Sequence, residues 1–213
     1  MRNLSILLPF FMLISVPVFT QKFGLKAGVS ETKLLNKDFD VNYSDEFKSA
    51  VGFLVGATVE FPIKDWVAIE SGVQMSLKGY KSEYFAKTRW SLYYLEIPVA
   101  AKGYYHFSNF GVYGVFGPYL GLGLTGKART KYTDMQGQTT KHVEDVKWGS
   151  DSENDDLKRI DIGLTIGGGV SFNRIQIGLF YSPGLANISP DTDNGLQAKN
   201  RVFGIEARYH LGE

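Results

Sequence analysis

The chain has 213 residues, 44% hydrophobic and 14% aromatic, with 24 glycines, no cysteine and a formal charge of +1. The aromatic content excludes a disordered chain, and the lack of cysteine excludes a disulfide framework, a thiolate metal site and a cysteine nucleophile. Arg2 accounts for the single excess charge, so the remaining chain is neutral and lacks the basic excess of a nucleic-acid binder.

Residues 1–20 carry Arg2, then an apolar run from Leu4 to Val18, with Val18 and Thr20 before a cut preceding Gln21. This is the pattern of a secretory signal peptide. Pro9 and Pro17 interrupt a run already short of the roughly 20 apolar residues a spanning helix needs. The expected organisation is a signal peptide over 1–20 and one β-domain over 21–213.

The rest alternates with period two, the mark of half-buried strands. Phe23–Ser30 sets Phe23, Leu25, Ala27 and Val29 against Gly24, Lys26 and Gly28. Ala50–Phe61 sets Val51, Phe53, Val55 and Val59 against Gly52, Leu54, Gly56, Thr58 and Glu60. Trp66–Lys78 opposes Val73, Met75 and Leu77 to Glu70, Gln74, Ser76 and Lys78. Ser91–Tyr105 opposes Leu95, Ile97 and Val99 to Tyr94, Glu96, Pro98 and Lys102. Phe110–Thr125 opposes Phe116, Leu120 and Leu122 to Tyr113, Gly117, Tyr119 and Gly121. The last three candidates end at Phe172, Ser182 and Leu211, with Arg159, Asp161, Gln176, Glu206 and Arg208 on their polar faces.

Connections between these eight candidates alternate in length. Pro62–Asp65, His106–Asn109 and Asn173–Arg174 are short, whereas 31–49, 79–90, 126–157 and 184–199 are long. Long loops confined to one edge are the habit of a membrane barrel, with short periplasmic turns and long extracellular loops. The predicted fold is all-β: an eight-stranded antiparallel up-and-down transmembrane β-barrel.

The faces decide what such a barrel encloses. The polar face is rich in glycine and carries Glu60, Glu70, Glu96, Asp161 and Glu206 against Lys26, Lys78, Lys102, Arg159 and Arg208. Five acids matched by five bases predict a self-neutralising charge network in a narrow lumen, because an unpaired buried charge costs several kcal/mol. The apolar face then meets lipid, with Tyr93, Phe110, Phe172, Tyr181, Phe203 and Tyr209 near the interfaces. The alternative is a soluble lipocalin-like barrel with the faces reversed.

Sites for chemistry are sparse. His106, His142 and His210 fall in separate segments, so no hydrolytic or zinc centre is expected. The acidic run Asp151–Asp156 lacks the glycine and final glutamate of a calcium loop and reads as solvated. The glycines of 117–126 and 163–169 continue the strand alternation and do not lead into a helix, as a phosphate cradle requires. No catalytic residue, cofactor or metal is expected. The largest loop, about 126–157, offers Arg129, Tyr132, His142 and Trp148 as contact residues, since loops on a rigid scaffold are where interaction usually resides.

The strings Tyr94–Tyr105 (YLEIPVAAKGYY), Gly117–Leu124, Arg159–Val170 and Tyr181–Ile188 resemble the small outer-membrane β-barrel family common in Bacteroidetes, labelled PorT-like, or OmpX/OmpA-like by fold. The resemblance implies an eight-stranded barrel in the outer membrane and no reaction. The expected function is that of a non-enzymatic outer-membrane barrel acting through its loops in surface interaction, adhesion or envelope integrity. Its expected partners are outer-membrane lipid and either lipopolysaccharide or a surface or secretion protein, and it is expected to be a monomer. A narrow pore or a part of a secretion machine is the second expectation, and a soluble periplasmic carrier the third.

Overall fold

The structure, a computed structural model, describes residues 21–38, 41–42, 47–83, 86–133, 138–192 and 196–211. The expected signal peptide, 1–20, lies outside the described residues. Among the described residues ten strands follow one another: β1 Lys22–Asp38, β2 Val41–Asn42, β3 Phe47–Lys64, β4 Val67–Glu83, β5 Lys87–His106, β6 Gly111–Thr133, β7 Thr139–Asp145, β8 Ile160–Phe172, β9 Ile175–Pro183 and β10 Gln197–Leu211.

Eight of them form an antiparallel ring in the order β1, β3, β4, β5, β6, β8, β9, β10, each hydrogen-bonded to its chain neighbour in the ring. Pairing of β10 with β1, from Phe23 opposite Leu211 to Lys37 opposite Gln197, closes it. Closure removes the open edges that would otherwise template aggregation. The short connections sit on one rim. Asp65 and Trp66 form the first turn, the Phe107 N–H donates to the Phe110 carbonyl at 2.7 Å in the second, and Asn173 adopts φ 52° in the third. That left-handed conformation is one asparagine tolerates better than most residues. Because Phe23 pairs with Leu211, the described chain also begins and ends at this rim.

The side chains alternate as the period-two pattern requires. Lys26, Thr58, Glu70, Glu96, Asp161 and Arg208 are buried inside the ring, while Leu25, Val55, Met75, Val99, Ile162 and Ile205 are exposed outside it. This polar-in, apolar-out order is the reverse of a soluble carrier with an apolar cavity. An aromatic rim formed by Phe23, Trp66, Tyr105, Phe107, Phe110, Phe172 and Tyr209 flanks the short turns. On the opposite half Phe203 pairs with Tyr181, and Phe53 meets Tyr93 edge-on at 6.4 Å.

The strands differ from expectation mainly at their far ends. The segment 126–157, expected to be a loop, begins as strand: β6 continues to Thr133 and β7 returns along it, with Lys127 opposite Asp145 and Thr133 opposite Thr139. Lys87–Tyr93 of β5 pairs with the other edge of the same extension. Outward side chains here are mostly polar, so backbone bonding, helped by the Thr88–Thr130 hydroxyl contact of 3.1 Å, continues the register beyond the apolar outer stripe.

Candidate functional site

The lumen is filled in storeys. Nearest the short turns, Lys102 of β5 is fully buried, and its ammonium donates to Glu70 Oε2 at 2.8 Å, Glu60 Oε2 at 3.0 Å and Gln176 Oε1 at 2.7 Å. Arg208 of β10 sits beside it and grips Glu70 with both terminal nitrogens, at 2.7 and 2.9 Å. Such a bidentate fork fixes geometry as well as charge. Arg208 also donates to Glu206 at 3.0 Å, and Lys26 reaches the other Glu206 oxygen at 3.9 Å.

The next storey centres on Lys78 of β4, whose ammonium lies 2.6 Å from Glu96 Oε1 and 2.8 Å from Asp161 Oδ2. Neutral donors complete it. The Asn200 amide donates to Asp161 at 2.9 Å, and the Gln74 amide donates to Glu96 at 2.5 Å. Each central lysine also lies over two tyrosine rings. Lys78 is 5.0 Å from the Tyr94 centroid and 4.4 Å from that of Tyr119; Lys102 is 5.4 Å from Tyr104 and 4.8 Å from Tyr113. A desolvated ammonium gains from such ring faces. The Tyr113 hydroxyl points at Gly178, where an added Cβ would lie 2.3 Å away. Only a glycine leaves room for the ring there.

The far mouth is closed by an apolar plug. Leu34, Tyr80, Leu92, Tyr94 and Ala198 from the wall enclose Val146, Leu157 and Ile188 from the long connections. Trp148 packs against this cluster, meets Tyr94 edge-on at 5.6 Å, and occupies the space above Gly123. Backbone bonds tie the plug down: Val146 N–H to the Gly126 carbonyl at 2.9 Å, Lys158 N–H to Ile188 at 2.8 Å and Ile188 N–H to Ala198 at 2.9 Å. Between the charged storeys remains a cavity of about 40 Å³, enough for about one water molecule. The rim of short turns opens instead on a vestibule of about 940 Å³, whose floor includes Glu60 and Gln176, both bonded to Lys102.

Of the ten charges expected in the lumen, the structure brings Lys26, Glu60, Glu70, Lys78, Glu96, Lys102, Asp161, Glu206 and Arg208 inside, all buried. Arg159 is the correction. It is exposed rather than buried among the lumen charges, and its guanidinium donates to the Gly123 carbonyl at 3.3 Å. The alternation stops at Ile160 because Trp148 already fills the interior beside Gly123, and the chain turns there towards the plug. Four bases therefore face five acids, and the neutral partners Gln74, Gln176, Asn200 and Tyr119 supply the remaining hydrogen bonds. Gln74, Tyr119 and Gln176 share the inward parity of the charges in the sequence, but nothing local marks which charge each one meets.

Among the expected loop contacts, Arg129, Tyr132 and His142 are exposed on the β6–β7 hairpin, and His142 Nε2 lies 2.9 Å from Glu144 Oε1. Trp148 is half-buried and packs against the plug. The run Asp151–Asp156 folds on itself. Asp151 accepts from the Glu153 N–H at 3.0 Å and the Asn154 amide at 2.8 Å, which hold its carboxyl below the usual carboxylate range. Among the described residues no group of three or more His, Asp or Glu side chains is arranged to hold a metal ion. His106 and His210 both line the vestibule, with His106 stacked on Tyr104 at 5.8 Å.

A closed ring with an ionic interior and an apolar exterior is the geometry of barrels that live in lipid. The family model described as outer membrane protein beta-barrel domain matches residues 19–189. The chain belongs to this family. No curated protein matches the sequence. Among solved structures the chain is similar to Ail, the attachment invasion locus protein of Yersinia pestis, at 13% identity over 89% of this chain and 98% of that one, TM-score 0.43. It is similar to Neisserial surface protein A at 15% identity, 89% and 97% coverage and TM-score 0.44. OprG from Pseudomonas aeruginosa gives 11% identity, 91% and 97% coverage and TM-score 0.43.

Proposed function

We propose that this outer-membrane barrel is a monomeric, non-conducting and non-enzymatic scaffold whose outward segments make surface contacts with lipopolysaccharide or a partner protein. The observation that carries this reading is the filled lumen: two lysine-centred storeys and an apolar plug leave a cavity of only about 40 Å³ between the storeys. Eight-stranded barrels are just wide enough for side chains to fill them, and here the side chains are also locked by ion pairs. The short-turn rim faces the periplasm in this reading, and the β6–β7 hairpin faces outward with Arg129, Tyr132 and His142 exposed. The YLEIP string of β5 supports placement in the PorT-like branch.

The test is recording from planar bilayers with the folded protein. The expected trace is a flat baseline, together with heat-modifiable gel migration and recovery in the outer-membrane fraction. Steady ion conductance would overturn the closed-scaffold reading in favour of a pore. Recovery as a detergent-independent soluble protein would overturn the membrane assignment.

A further inference from the structure

Above the plug, on the outward side, lies a cleft of about 400 Å³ that the scaffold function does not use. That size falls within the roughly 300–1,000 Å³ of small-ligand sites. Its base is aromatic. Tyr80 and Trp90 stack at 5.6 Å with planes 15° apart, and Phe47 meets Tyr80 edge-on at 5.3 Å. Its wall is acidic: Glu144 and Asp145 come from β7 and Asp156 from the plug segment, and among the described residues no lysine or arginine lines the cleft. The balancing contacts are solvent-exposed: His142 Nε2 lies 2.9 Å from Glu144 Oε1 and Lys127 3.9 Å from Asp145, all four side chains more than half exposed, a geometry worth little in water. Asp156 is held in place by the Lys147 N–H at 2.8 Å.

We propose that this cleft binds an alkylammonium group, its carbon stem on the half-buried Trp90 ring and its charged end among the carboxylates. Ring faces attract cations, and three carboxylates with no lining base attract the same charge. An anion is repelled by that wall. A purely apolar ligand would desolvate the carboxylates without replacing their hydrogen bonds. A neutral sugar gains no charge attraction from the acidic wall. A bare metal ion needs converging ligands, and no such group occurs among the described residues; carboxylates spread along a wall suit an extended organic cation. The ammonium could be a free diamine or the lysine side chain of a peptide.

This inference deepens the surface-interaction reading and rests on the cleft opening outward. Calorimetry on detergent-folded protein reads the cleft regardless of conductance, so failure here leaves the closed barrel untouched, and the reverse holds. The titrants are cadaverine, 1-pentanol as its neutral counterpart, and a short blocked peptide containing one lysine. The expected result is saturable cadaverine or peptide binding, no pentanol binding, and at least a tenfold loss in Trp90→Ala and in the exposed pair Glu144→Gln/Asp145→Asn. Heat-modifiable migration of each variant verifies folding. Cadaverine binding without peptide binding assigns a free amine; peptide binding assigns a lysine donor. Failure of both, equal binding of pentanol, or unchanged affinity in the folded Glu144→Gln/Asp145→Asn variant overturns the proposal.

Discussion

Lys102 shows how one residue organises a storey. Its ammonium holds Glu60, Glu70 and Gln176 together, so removing it takes the ammonium from Glu60 and leaves Glu70 to Arg208 alone. Breaking a buried pair from one side costs about 3–5 kcal/mol. Lys102→Met is therefore expected to lower the unfolding free energy by about that amount, measured by urea titration of the barrel in lipid vesicles. Arg159→Ala is the matched control: an exposed cation bonded to one carbonyl should change stability by no more than about 0.5 kcal/mol. Equal effects at the two positions would show that ion pairing does not hold the lumen. Parity alone identified nine of the charges that lie inside, because a one-residue slip would turn all of them into lipid. It failed at Arg159, where parity was extended one residue beyond the strand start at Ile160. It was also silent on which inward residues touch. The four tyrosines over the lysines come from β5 and β6, and their register around the ring is not a local property of sequence.

At the scale of elements, the barrel strands were legible and the plug was not. Strands announce themselves by period two, whereas residues 146–157 have no period, and their structure comes from what they cover. Val146 and Leu157 read as ordinary loop hydrophobics until the ring supplies Leu34, Leu92 and Tyr94 to receive them. The same is true of Trp148, whose position depends on Gly123. A Cβ on Gly123 would lie 2.4–2.8 Å from three atoms of the indole ring, and a ring wedged against Tyr94 cannot retreat cheaply. Gly123→Ala is expected to cost about 1–3 kcal/mol by overpacking. Trp148→Ala leaves a hole instead, with a cost of about 3–5 kcal/mol. Both should loosen the plug before the ring. Limited proteolysis in detergent should therefore cut within 146–157 in these variants while heat-modifiable migration persists. Loss of migration in step with cleavage would mean that plug and ring unfold as one unit.

For the whole molecule, the governing feature is the direction in which the apolar stripe faces, and one pair of substitutions isolates it. Val99 is 48% exposed midway along the outer face of β5, between Tyr93 and Tyr105, and Val143 is 53% exposed on β7, beyond the ring. In water the two sites are equivalent: each is a half-exposed valine on a strand, and arginine at either should move stability by no more than about 0.5 kcal/mol. In a bilayer they differ. Arginine on the lipid face near the midplane costs about 2–4 kcal/mol, and the cost falls towards zero outside the hydrocarbon. Folding free energies in lipid vesicles should thus drop for Val99→Arg and stay level for Val143→Arg. Val99 also lies opposite Ser71 on β4, whose hydroxyl donates to the Pro98 carbonyl at 2.9 Å, so the position paired with the new cation is not a carboxylate. The difference between the two variants measures immersion directly, and its absence would place the apolar stripe in water.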